Sequence, residues 1–200
     1  MWGVAAFVFF AAFAALGIWV ARAAPLGIDV AAVALRGVGT PLAAVFTALG
    51  RWWAIVAVTL LAATLAVRSG AHVAPVFWLF GSQAASQATV NGCKRLFRRT
   101  RPEGWLLYRE PDLSYPSGHA TTAIVFFGEL LFLALRLPGL HGAPAFVLDG
   151  ALAACVVGIP WSRLALGAHF ATDVAGGVLY GCGWSCVILE IASMLRLVRL

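Results

Sequence analysis

The chain has 200 residues, of which 62% are apolar and 11% charged, with a formal net charge of +6. A soluble domain usually carries about 25% charged residues, so this composition excludes an ordinary water-soluble globule and a disordered chain. The apolar residues run in long blocks, the pattern of a polytopic helical membrane protein built as a single domain over 1–200.

A bilayer core takes about 20 mostly apolar residues per helix. Residues 2–20 carry no charge and predict the first span. Ala21-Arg22-Ala23 also fits a cleavage site, but no basic segment precedes the block, so an uncleaved span is expected. Residues 24–40, with Pro25, Asp29 and Arg36 among apolar neighbours, predict a short interfacial helix. The second span lies within 41–67, and Arg51-Trp52-Trp53 shortens it to about 52–67 after a helical lead-in. Span three, 73–92, carries Ser82, Gln83, Ser86, Gln87 and Asn91, which should face the bundle and hydrogen-bond across helices.

The long polar segment 93–117 follows. Span four is 118–136, and Leu137 to Pro144 forms a turn. Span five is 145–160, with a polar turn at Trp161-Ser162-Arg163. Span six, 168–195, holds Gly177 and Gly181 at a spacing that lets helices approach closely. Glu129 and Glu190 fall inside spans four and six, where a bundle partner or an interface should receive them. The expected fold class is therefore all-α: six transmembrane helices in one bundle plus a short interfacial helix.

The parity of six spans puts 24–40, 93–117 and 161–167 on one membrane face. The other face receives Arg68, Arg136, Arg196 and Arg199 without acids, which makes it the cytoplasmic one by the positive-inside rule once the six Lys and Arg of the 93–117 loop, which outnumber them, are set aside as engaged in a site. Six of the 14 Lys and Arg lie between Lys94 and Arg109, so the net charge is one local cluster, not a nucleic-acid surface. Such a cluster either meets anionic headgroups or holds a phosphate. Cys93, Cys155, Cys182 and Cys186 show no metal-ligand spacing and read as small hydrophobes.

Three stretches on the shared face carry the chemistry. In Lys94 to Pro102, Lys94 and Arg101 would share a helix face if the third helix continued, leaving Arg95, Arg98 and Arg99 for headgroups. Pro116-Ser117-Gly118-His119 opens span four, where free backbone N–H groups favour an anion beside His119. Ser162-Arg163 precedes His169 and Asp173, which stand at i and i+4. The carboxylate can fix the imidazole tautomer and leave its other nitrogen as nucleophile or base. Glu103, Glu110 and Asp112 lie in the loop without a spacing that recommends them as metal ligands.

Together these stretches resemble the three signature motifs of the type-2 phosphatidic acid phosphatase superfamily, in order, interval and span layout over roughly residues 40–195. The resemblance implies a lipid phosphatase in a six-helix bundle that needs no metal and no cofactor. By that resemblance His169 attacks phosphorus, Asp173 orients it, and His119 protonates the leaving oxygen. Lys94, Arg101, Ser117, Gly118 and Arg163 would bind the phosphate oxygens. Implied substrates are undecaprenyl pyrophosphate, phosphatidylglycerol phosphate or phosphatidic acid, met at the periplasmic face of a bacterial inner membrane. Lipid A phosphatase and lipid phosphotransferase readings stand beside these. A lipid-binding or transport protein with a degenerate phosphate site would be expected to have lost His119, His169 or Asp173. The six spans and small size count against a vanadate haloperoxidase.

Overall fold

The computed structural model describes residues 2–102, 104, 110, 112–136 and 141–194. These residues form helices and connections only, with no strand among them. Helix α1 spans Trp2–Val20. Helix α2, Gly27–Ala31, runs into a 3-10 turn at Ala32–Leu35. Helix α3 is Thr40–Leu49, α4 is Trp52–Arg68 and α5 is Ala74–Phe97. Helix α6 covers Gly118–Ala134 and has a π-helical segment at Ala123–Gly128. Helices α7 and α8 are Ala143–Ala165 and Ala171–Met194.

Among the described residues α1, α7 and α8 are long and apolar enough to cross a membrane. Residues 27–35 and Thr40–Leu49 pass the same test as one pair bent by 112°. Helices α4 and α6 are shorter apolar helices, and the polar residues of α5 lower its hydropathy. Exposed Phe7, Trp19, Leu61, Phe146 and Val157 suit contact with hydrocarbon.

Three expectations need correction. The Trp161-Ser162-Arg163 stretch is not a turn, because α7 continues to Ala165 and the Ser162 hydroxyl donates to the Ile159 carbonyl. The α5 helix does not continue to Arg101: it ends at Phe97, where Arg98 takes a left-handed φ of 53° and reverses the chain. The 24–40 segment is more than an interfacial helix, since Asp29 is completely buried against the bundle. The break between α3 and α4 falls at Gly50-Arg51, where the lead-in was expected.

The core follows from close packing around α8. Helix α1 packs along it, and Tyr115 stacks on Phe13 while donating to the Phe13 carbonyl at 2.6 Å. Glu129 is held inside the bundle by the Ser185 hydroxyl at 2.8 Å. Helix α6 crosses α8 at the two glycines. A Cβ at Gly177 would lie 2.5 Å from the Ser117 carbonyl oxygen, and one at Gly181 would lie 2.8 Å from Ile124 Cβ. The Thr121 hydroxyl donates to the Gly177 carbonyl at 3.2 Å, and the Ser117 amide donates to the Asp173 carbonyl at 3.0 Å. This crossing fixes the start of α6 against the start of α8. Gly177→Ala should therefore force the helices apart and cost about 1–3 kcal/mol. Thermal unfolding in detergent should show the loss, and an unchanged transition would disprove the tight crossing.

Candidate functional site

The shared face anticipated for the three motifs is one end of the bundle. His169 sits in the connection between α7 and α8, 3% exposed. Its Nε2 lies 3.0 Å from Arg101 Nη1, and its Nδ1 lies 3.3 Å from Ser114 Oγ and 3.6 Å from Asp173 Oδ2. The last distance is too long for a hydrogen bond, so Asp173 reaches the ring through Ser114. The Ser114 hydroxyl donates to Asp173 Oδ2 at 2.5 Å. Having spent its proton there, Ser114 accepts from the imidazole, which puts hydrogen on Nδ1 and leaves the Nε2 lone pair toward Arg101. Burial, then the charges of Arg101, Arg163 and Lys94, hold the His169 imidazolium well below its ordinary value near 6.5.

His119 opens α6 and lines a cavity of about 450 Å³ together with His169, Lys94, Arg101 and Gly118. The ring is hydrogen-bonded to the Thr47 backbone, and its Nε2 is buried without a partner. The α3–α4 break makes room for it: a Cβ at Gly50 would lie 2.6 Å from His119 Cδ2. Arg163 lines an adjoining cavity that shares Arg51 and Glu110 with the first. Ser117 stands apart from both. It is completely buried, and its Oγ accepts from the Ala120 amide as the N-cap of α6.

The cations meet loop carboxylates. Lys94 donates to Asp112 and to the Leu113 carbonyl. Arg101 pairs with Asp112 and approaches Glu110 at 3.9 Å. Arg163 donates to Glu110 at 2.6 Å and to the Thr47 hydroxyl. Burial alone would raise the Asp112 carboxyl, but Lys94 and Arg101 hold it down to about 2. Asp112 and Glu110 thus occupy the donors that an anion of the right size would take.

A second network was not visible in the motifs. Arg99, expected at headgroups, is 5% exposed and enclosed in protein. Its Nη1 donates to Asp173 Oδ1 at 2.6 Å and to Thr172 Oγ1 at 2.7 Å, and its Nη2 to Asp29 Oδ2 at 3.1 Å. Asp29 also accepts from the Thr172 amide at 2.9 Å and the Leu26 amide at 3.1 Å. The usable sequence signal was an acid and an extra Arg in a charge-poor chain, since ionised groups at membrane depth need partners. Among the described residues, no group of three or more His, Cys, Asp or Glu is placed to hold a metal.

The PAP2 superfamily model matches residues 75–196, which includes every motif residue named above. The chain belongs to the PAP2 superfamily. It is 38% identical over 91 residues to phosphatidylglycerophosphatase B of Bacillus subtilis, covering 44% of this chain and 43% of that protein. It is 31% identical over 140 residues to lipid A 1-phosphatase of Rhizobium etli, covering 62% and 54%. The chain thus spans about half the length of the curated relatives it matches. The crystal structure of a transmembrane PAP2-type phosphatidylglycerolphosphate phosphatase from Bacillus subtilis superposes with a TM-score of 0.82 at 19% identity, covering 97% of this chain and 98% of that one. That likeness establishes the fold: this chain is an all-helical membrane protein of the PAP2 architecture.

Two outcomes follow from the networks. Asp112→Asn should release Lys94 and Arg101 and tighten inorganic phosphate binding by about three- to tenfold; titration calorimetry showing equal or weaker binding would refute the competition. Arg99→Met strands two buried carboxylates and should cost about 3–5 kcal/mol. Arg99→Lys should recover part of that loss in a detergent unfolding assay.

Proposed function

We propose that this protein hydrolyses a membrane lipid phosphate or pyrophosphate through a phosphohistidine on His169. The observation that carries the reading is a buried imidazole whose Nε2 lies 3.0 Å from Arg101 Nη1 in a cavity it shares with Lys94 and His119, and whose Nδ1 side faces Ser114 and Asp173. The Nε2 lone pair attacks phosphorus, and the bond from phosphorus to the leaving oxygen breaks. His119 Nε2, the atom that has no partner inside the protein, takes up the proton that the monoanionic phosphate group brings in, while the other ring nitrogen stays on the Thr47 backbone, and passes it to that oxygen. A water then attacks the phosphohistidine. His119 takes its proton, the phosphorus–nitrogen bond breaks and phosphate leaves. Asp173, through Ser114, balances the positive charge that develops on His169.

Lys94, Arg101 and Arg163 would receive the nonbridging oxygens once Glu110 and Asp112 withdraw. The Gly118 amide at the start of α6 adds a donor, and Ser117 holds that helix start in shape. With the positive charge supplied by side chains, turnover is expected without metal or cofactor. Six spans (α1, the α3–α4 pair, α5, α6, α7 and α8) and a periplasmic active site in a bacterial inner membrane complete the proposal. The arginines Arg68 and Arg136 at the far end support that orientation.

Substrates in scope are phosphatidylglycerol phosphate, phosphatidic acid, undecaprenyl pyrophosphate and lipid A. The relatives' names include two of these headgroup types. The test is phosphate release by purified protein in detergent with excess EDTA. Release from a lipid phosphate is expected, and His169→Ala should lower it by about 10³-fold or more. Near-normal activity in that variant would sink the mechanism, and dependence on added Mg²⁺ would sink the metal-free claim.

A further inference from the structure

Besides His119 and His169, the cavity is lined by residues of α4 and α5. Ile55, Val56, Phe80 and Ala84 make its wall apolar, while Trp52, Ala84 and Asn91 at its rim are exposed. One line of the wall is not apolar. Gln83, Gln87 and Asn91 follow each other at four-residue intervals on α5, and Lys94 continues the same face. Gln87 Nε2 donates to the Gly118 carbonyl at 3.1 Å, which puts Gln87 level with the catalytic end of α6. Gln83 lies one turn deeper, about 6 Å along the helix axis. Its Nε2 donates to the Thr122 hydroxyl at 2.8 Å.

Gln83 is 5% exposed, yet its Oε1 has no partner. A buried amide oxygen without a donor is costly, and it is costlier still in a wall otherwise made of hydrocarbon. Among the described residues that line the cavity, only His119 Nε2 shares this condition. His119 Nε2 meets the leaving oxygen. The atoms that follow that oxygen along a lipid would pass Gln87 and then Gln83.

We infer that Gln83 selects substrates whose phosphate is carried on a short polar unit, a glycerol or sugar bearing hydroxyl, ester or amide groups, over phosphates attached directly to a hydrocarbon chain. The inference rests on the lipid phosphatase reading above and narrows it. A hydroxyl or amide N–H of the substrate would donate to Oε1. An ester carbonyl would be met by turning the Gln83 amide over, with the Thr122 hydroxyl then donating to the turned oxygen. A polyprenyl or plain alkyl phosphate brings only hydrocarbon to this depth and would leave Oε1 buried and unpaired. A site built to hydrogen-bond a polar group discriminates strongly against ligands that lack it.

The test compares three monophosphates in the same detergent: phosphatidic acid, hexadecyl phosphate and undecaprenyl phosphate. Identical phosphate groups leave the attached unit as the variable. The natural chain should show a kcat/KM at least about tenfold higher for phosphatidic acid, the size expected for one buried polar group left unpaired. Gln83→Met keeps the bulk of the side chain and removes its hydrogen bonds. It should raise KM for phosphatidic acid about tenfold and leave the two hydrocarbon-borne phosphates unchanged or improved. Equal losses on all three would make Gln83 a packing residue and overturn the inference. Equal kcat/KM for the three substrates in the natural chain would overturn it without any variant. No phosphate release from any of them would reject the underlying activity instead.

Discussion

The Arg99 guanidinium holds together two carboxylates from distant parts of the chain, Asp29 and Asp173. Both are completely buried, and neither could stay ionised there without compensation. Asp29 additionally takes the Thr172 amide, one of the free N–H groups in the first turn of α8. Arg99 lies over the Phe170 ring at 4.3 Å, so the guanidinium is fixed on a face as well as at its edges. The short α2 helix, the reversal after α5 and the start of α8 are thereby pinned at one point. Asp173 has one oxygen committed to Arg99. Its other oxygen takes the Phe170 amide at 2.9 Å and the Ser114 hydroxyl. The geometry of His169 depends on this anchoring, because Ser114 is positioned between the fixed carboxylate and the ring.

Cation placement is the second constraint. Lys94, Arg101 and Arg163 come from three different segments and would repel one another across a small, largely buried volume. The loop carboxylates Glu110 and Asp112 balance them. In the proposed reaction a phosphate group, with about two negative charges, would take over the same donors. Exchange of one set of anions for another keeps the cations compensated throughout, so the bundle end need not rearrange as a whole. Asp112, held to about 2, stays ionised across the physiological range and remains a competitor until it is displaced.

Helix spans were legible because hydrocarbon burial imposes long apolar runs, and the ends of α1 and α4 fall close to where those runs stop. The three motifs were legible because each is a short local pattern. What lay outside the motifs was not. Asp29 sits in a stretch whose sequence reads as amphipathic, and its partners stand 70 and 143 residues away. Ser114 precedes the Pro-Ser-Gly-His stretch by two residues and belongs to no pattern. The Lys94–Arg101 relation was anticipated through a continuous helix, whereas Arg98 reverses the chain and Arg101 returns through the loop. The Ser162-Arg163 turn failed for the opposite reason: polar residues at a helix end look like a connection, but Arg163 is buried, and its two Nη atoms donate to Glu110 and the Thr47 hydroxyl.

The two halves of the site are brought into register by close packing and the hydrogen bonds that this packing permits. His119 belongs to α6 and His169 to the approach to α8, and the α6–α8 crossing passes through Gly177, where no side chain intervenes. The Ser117 amide bonds the Asp173 carbonyl at that crossing, so the helix start that presents His119 is tied to the residue that orients His169. A bulkier contact would increase the separation between His169 and His119, the nucleophile and the acid of the proposed mechanism. Such displacements are expensive in catalysis, since about 1 Å of misplacement can cost on the order of 100-fold in rate. The glycines of α8 therefore bear on the chemistry as directly as the charged residues do, although none of them need touch the substrate.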